Sequence, residues 1–294
     1  MRDAREMLVQ AQRFQDDGDY YSLRRTAEWV IVEAERVGDD VSLGRALMFL
    51  GVAEARTGDA DQARMLLSRA ASIFEKQGQL VELARAKMNL GTLAFDVRGD
   101  AEEARRLYFE VLPLVREVND ELRYGIALAN IAEICRHEGQ LDEALTFARD
   151  ALEKFSSCDA TWRHALTLVT LAHVFALRGE LQAAVTQMEA AREIIFASSN
   201  PTSIALYTEV YGFIALAHGD IDVAAIVLRF ASTYRAHYDL VEDRGLALWR
   251  SAAEKAMAAA RSQSERDSLK AKAEELDLDG IRALLVSGLA IPVR

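Results

Sequence analysis

The sequence predicts an all-α protein, an α-solenoid of stacked antiparallel helix hairpins. Three observations predict it. Gly18, Gly58, Gly99, Gly139, Gly179 and Gly219 recur at intervals of 40, 41, 40, 40 and 40 residues. Each is followed by a polar residue: Asp19, Asp59, Asp100, Gln140, Glu180 and Asp220. The 294 residues also contain only 3 Pro and 16 Gly, which leaves room for long helices between these points. A fixed period of this size marks a repeat architecture, in which each unit packs mainly on its neighbours and the core grows lengthwise.

One repeat justifies its elements in order. Over residues 43–57, Ala46, Leu47, Leu50, Ala53 and Ala55 follow helical spacing, which predicts an amphipathic helix. Gly58 ends it, because glycine accepts a left-handed φ at a helix C-terminus. Asp59 then caps the next helix by accepting its first backbone N–H groups. Residues 60–76 carry Ala63, Leu66, Leu67, Ala70, Ile73 and Phe74 on one face, predicting the return helix. Two small positions let the paired helices approach closely. Seven residues before the turn glycine stand Ala11, Gly51, Ala132, Ala172 and Gly212; five after it stand Ala63, Ala104, Ala144, Ala184 and Ala224. Leu23 replaces the second small residue in the first repeat, as suits an end unit.

The third repeat is irregular. Gly91 holds its small position, but Gly99 follows after eight residues rather than seven, so one extra residue lies within 92–98. A π-bulge or a longer turn would absorb it, a plain loop insertion being the simpler reading. Pro113 falls inside the second helix of the same repeat and is expected to kink or break it. Pro201 follows Asn200 at a helix start, where proline is welcome. Residues 1–240 thus read as six repeats, and 241–294 as C-terminal capping helices over 241–260, 264–276 and 277–287. No glycine marks a seventh turn at Ala259.

The formal net charge of −11 and pI near 5.1 argue against direct nucleic-acid binding by this chain. The pairs Arg24–Arg25 and Arg105–Arg106 alternate with acids and read as solvated faces. Cys135 and Cys158 lie in no metal-ligand spacing; Cys135 falls on an apolar helix face and reads as a core residue. The N-terminus shows no signal peptide, and no uncharged apolar run approaches the ~18 residues of a membrane span, so the expectation is a cytoplasmic, non-membrane protein. His137, His164, His173, His218 and His237 form no HExxH pair, and no P-loop, GxSxG or GxGxxG occurs. Arg136 and His137 are read as cations favouring a helix C-terminus. No catalytic residue, metal site or cofactor is expected, and the chain is not read as an enzyme. Trp29, Trp162 and Trp249 are expected in helix packing.

A small residue in the first helix, glycine at the turn and alanine five later resemble the tetratricopeptide repeat. Leu90-Gly91-Thr92-Leu93-Ala94 and Gly139-Gln140-Leu141-Asp142-Glu143-Ala144 come close to its pattern. The 40-residue period exceeds that family's usual ~34. It is similar to the longer repeats in sensor domains of large bacterial LuxR-type regulators, in kinesin light chains and in Gram-positive peptide-pheromone receptors. The segment 275–284 is similar to the helical ending of such domains in bacterial ATPase-linked regulators. The resemblance covers about residues 4 to 238. It implies a right-handed superhelix whose first helices line the concave face.

In that family an Asn two residues before the small position often contacts a peptide backbone. Here the position holds Val9, Phe49, Asn89, Asn130, Thr170 and Val210. Four residues earlier stand Arg45, Arg85 and Ile126; three residues later stand Val52, Thr92, Glu133 and His173. The resemblance therefore implies a peptide-binding patch of Arg85, Asn89, Thr92, Asn130, Glu133, Thr170 and His173. Its expected partner is a protein or peptide segment held by a non-enzymatic scaffold or sensor module. The alternative is a self-associating, ligand-controlled regulatory domain of a bacterial transcription regulator, a homo-oligomer built through Leu284, Leu285, Leu289, Ile291 and Val293.

Overall fold

The computed structural model describes residues 3–238, 240 and 244–287. The chain divides into two compact units, Met1–Ile134 and Cys135–Arg294. The first contains α1 (Ala4–Asp16), α2 (Tyr20–Val37), α3 (Asp40–Thr57), α4 (Ala60–Lys76), α5 (Leu80–Thr92), a π-helical turn (Leu93–Val97) and α6 (Ala101–Glu117). The unit boundary falls within α7 (Glu121–His137). The second unit continues with α8 (Leu141–Ser157), α9 (Thr161–Leu177), α10 (Leu181–Ala197), α11 (Pro201–His218) and α12 (Ile221–His237). It ends with α13 (Arg244–Ala260), α14 (Gln263–Glu274) and α15 (Leu278–Ser287). No strand occurs among the described residues.

The turn chemistry is as the period predicts. The six repeating glycines all take positive φ, between 69° and 102°. Asp19, Asp59 and Asp100 accept from the amides of Ser22, Gln62 and Glu103 at 2.9–3.0 Å. Asp220 accepts from Val223 at 3.4 Å. Gln140 and Glu180 make no side-chain cap. Asn200 caps α11 by accepting from Ser203, with Pro201 in its first turn.

A second series punctuates the joints between hairpins. Gly38, Gly78, Asn119, Asp159 and Ser199 also have positive φ, at spacings of 40, 41, 40 and 40 residues. Three of the five are not glycine, so the series leaves no glycine period in the sequence.

The small positions are closely packed. Ala11, Ala132, Ala172, Ala63, Ala104, Ala144, Ala184 and Ala224 are all fully buried. A Cβ on Gly51 would lie 2.8 Å from Leu67 Cγ, and one on Gly212 would lie 2.6 Å from Leu228 Cγ. In the first unit this close approach builds a core around Leu23, Leu47, Leu67 and Phe74. In the second, Phe213 and Leu228 pack with Ala253 of α13.

Several expectations are corrected. The extra residue of the third repeat is absorbed by the π-helical turn: the Arg98 amide donates to the Leu93 carbonyl, five residues back, at 3.2 Å. Pro113 does not break its helix; α6 runs through it, with Pro113 on the exposed face. Trp29 is 39% exposed rather than packed inside. Trp162 is half-buried, with the Arg163 guanidinium 4.6 Å above its ring, and the Trp249 side chain lies outside the described residues. Arg24 and Arg105 are half-buried, Arg24 donating to Glu54 at 2.8 Å. Arg136 is buried. Of the apolar C-terminal residues, Leu285 is buried at 3% and Leu284 half-buried, while Leu289, Ile291 and Val293 lie outside the described residues.

Candidate functional site: a cleft across the first helices

In the first unit, α1, α3 and α5 are the first helices of successive hairpins, and they border a cleft of about 670 Å³. Its apolar lining is Leu8 and Val9 from α1 with Val41 and Phe49 from α3. Its polar lining is Arg5, Gln12, Asp39, Ser42, Arg45, Glu82 and Arg85. The repeat period dictates this gathering. Arg5, Arg45 and Arg85 stand 40 residues apart, so each hairpin presents its arginine at the same helical position. Val9, Phe49 and Asn89 follow one turn later on the same helices.

Glu82 is only 6% exposed. A carboxylate that deep must be paired. Arg45 approaches its Oε1 with Nε at 2.9 Å and Nη2 at 2.7 Å, and Arg85 Nη1 donates to Oε2 at 3.1 Å. Arg85 Nη2 also donates to Gln12 Oε1 at 3.1 Å, which ties α5 to α1. These four side chains fix the relative position of three successive first helices. Asp39 accepts from the Ser42 amide at 3.0 Å and from Ser42 Oγ at 2.7 Å. Those bonds, with a smaller contribution from the Arg5 charge, hold its carboxyl below the usual 3.8. The cleft thus joins rigid hydrogen-bond donors and net positive charge to an apolar wall, a surface suited to binding. Among the described residues no group of three His, Cys, Asp or Glu side chains is placed to hold a metal ion. None of their helices is long and apolar enough to cross a membrane.

The residues expected to bind peptide have different surroundings. Arg85 lies in the cleft, within the Glu82 network. Asn89 is half-buried one turn further along α5. Thr92 Oγ1 lies 2.9 Å from Tyr108 OH and so faces the return helix of its own hairpin. Asn130 and Glu133 are half-buried on α7. In the second unit Thr170 is half-buried on α9, whereas His173 is 2% exposed and stacks on Phe213 with ring centroids 6.1 Å apart. His173 is therefore a wall residue of that unit. Val9 and Phe49 hold the same family position with apolar side chains, and both line the cleft. The signal that finds the rest is the 40-residue arginine series, which starts at Arg5.

Residues 82–157 match the family described as tetratricopeptide repeat. Over that segment the chain is similar to the tetratricopeptide repeat. No curated protein sequence matches it. Three solved tetratricopeptide-like structures illustrate the likeness, which at these identities is one of fold. A Rap protein complexed with competence and sporulation factor is 15% identical with TM-score 0.67, over 92% of this chain and 75% of that one. The Rap conjugation gene regulator of the plasmid pLS20, in complex with the Phr* peptide, is 13% identical with TM-score 0.60, over 87% of this chain and 76% of that one. A signal transduction ATPase with numerous domains, carrying a tetratricopeptide repeat sensor, from Pyrococcus horikoshii is 15% identical with TM-score 0.60. That alignment covers 91% of this chain and 44% of the other.

Proposed function

We propose that this chain is a non-enzymatic scaffold or sensor module that holds a protein or peptide segment on the face made by its first helices. The observation that carries the reading is the cleft bordered by α1, α3 and α5, whose walls are locked by the Gln12–Arg85–Glu82–Arg45 network. A preformed site loses little conformational freedom on binding, so more of its contact energy is realised as affinity. The half-buried amides of Asn89 and Asn130 extend the polar surface along successive first helices. Each can donate to a carbonyl and accept from an N–H, as an extended segment requires. The Rap regulator structure with bound Phr* peptide supports the peptide reading by its likeness of fold. The setting we infer is bacterial cytoplasmic signalling that acts on transcription.

The test is affinity capture from lysate of the source cells, comparing the wild type with the Asn89→Ala, Asn130→Ala double variant at matched folded fraction. A partner held by the wild type and lost from the variant is the expected result. A partner held equally by both removes Asn89 and Asn130 from the reading.

A further inference from the structure

The repeats provide an internal template for what the cleft takes. Arg45 and Arg85 occupy the same position in successive repeats, and Glu82 lies between them as a carboxylate rung. One repeat earlier, Arg5 and Arg45 occupy that position, and both line the cleft. The residue matching Glu82 there is Ser42, which carries no charge. Asp39, the nearby acid of that rung, is engaged as the cap of α3 through both Ser42 N and Ser42 Oγ. Arg5 is exposed and forms no salt bridge among the described residues. The ladder therefore runs Arg5, an open rung, Arg45, Glu82, Arg85.

We propose that the open rung between Arg5 and Arg45 accepts an Asp or Glu side chain from the bound segment, with an adjacent apolar side chain against Leu8, Val9 and Phe49. The inference rests on the peptide-holding reading above and specifies its ligand as an acidic, apolar-containing segment. Charge complementarity carries the choice: the cleft holds three arginines against Asp39 and Glu82, and the remaining positive charge lies within a chain of net charge −11. A guanidinium prefers a carboxylate because its planar fork donates two parallel hydrogen bonds. The overall negative charge repels acidic segments elsewhere, so the same arrangement gives the cleft its selectivity.

The test uses the full chain and a displayed library of random heptapeptides, selected in parallel on three proteins. These are the wild type, Arg5→Glu, and an Asp39→Gln, Ser42→Glu double variant that copies Gln79 and Glu82 into the preceding repeat. Arg5 is exposed in the first turn of α1, where an acid is favoured, so Arg5→Glu keeps the fold even if the double variant does not. The expected result is enrichment of peptides with Asp or Glu beside an apolar residue on the wild type, and loss of that acidic bias on Arg5→Glu. A folded double variant, its rung filled from within, loses the bias as well. Enrichment without acidic bias, or a bias unchanged by Arg5→Glu, overturns this inference and leaves the scaffold reading standing. Displacement of selected acidic peptides by equimolar inorganic phosphate also overturns it, in favour of a free-anion site. No enrichment on any protein overturns both readings.

Discussion

Arg235 on α12 grips Glu209 on α11 from both sides, with Nε 2.8 Å from Oε1 and Nη2 2.6 Å from Oε2. Glu209 is completely buried, and Arg250 of α13 adds a third contact at 2.7 Å. One carboxylate thereby ties the last hairpin to the first C-terminal helix. Tyr211 adds a second tie, its hydroxyl donating to the Leu285 carbonyl of α15 at 3.1 Å.

Removing Glu209 leaves two arginines facing a buried space without their anion. Glu209→Ala is expected to destabilise the second unit by about 3–5 kcal/mol, the usual cost of breaking a buried pair from one side. Arg250→Ala should cost less, since that side chain is 21% exposed and water replaces part of its partner. Urea unfolding of both variants checks the order; an Arg250→Ala loss equal to that of Glu209→Ala contradicts it.

The close helix approach at Gly212 makes a second prediction. Its added Cβ would overlap Leu228, whose Cγ and Cδ2 lie 2.6 and 2.7 Å away. Gly212→Ala is expected to cost about 1–3 kcal/mol as an overpacked contact. Adding Leu228→Ala should recover part of that loss, and a double-mutant cycle measures the coupling. Additive losses would mean that the two sites do not meet.

The hairpin joints offer a route to greater stability. Ser199 holds φ at 51° without the side-chain amide or carboxylate that eases Asn119 and Asp159 into the same region. Ser199→Gly is expected to stabilise by about 0.5–1 kcal/mol, and Asn119→Gly by less. Thermal unfolding midpoints of the two variants give the comparison.

Asp39 predicts a dependence on pH. Hydrogen bonds from Ser42 hold its folded pKa below the ordinary 3.8. The unfolded chain therefore takes up this proton first as pH falls. The Asp39 contribution is complete above 3.8 and is lost as pH drops from there through the folded value. Asp39→Asn keeps a capping oxygen but does not titrate. Its urea midpoint should fall less steeply than that of the wild type below that pH, and parallel curves would remove Asp39 from the acid response.

The hairpins were legible in the sequence because each depends on local physics. A glycine that takes φ near +70° and an aspartate that caps three residues ahead act within one turn of their own position. Helix faces follow from spacing within a single element. The joint residues Asn119, Asp159 and Ser199 were not legible, because the left-handed conformation is imposed there on residues that do not demand it. The one-residue surplus before Gly99 was visible, but its form was not: a π-turn and a longer loop have the same length in sequence.

For the candidate site, the sequence by itself determined that Arg45, Arg85 and the Asn89 position share one face, since repeat period and helical period together place them. Only the tertiary structure decided which of those residues are spoken for. It set Glu82 between two arginines, tied Arg85 to Gln12 across 73 residues, turned Thr92 toward Tyr108 and buried His173 against Phe213. The reason is physical. Periodicity fixes the direction of a side chain from its own helix, whereas its partners and burial depend on the distance to the next helix, which the packing of small residues such as Gly51 and Ala63 sets.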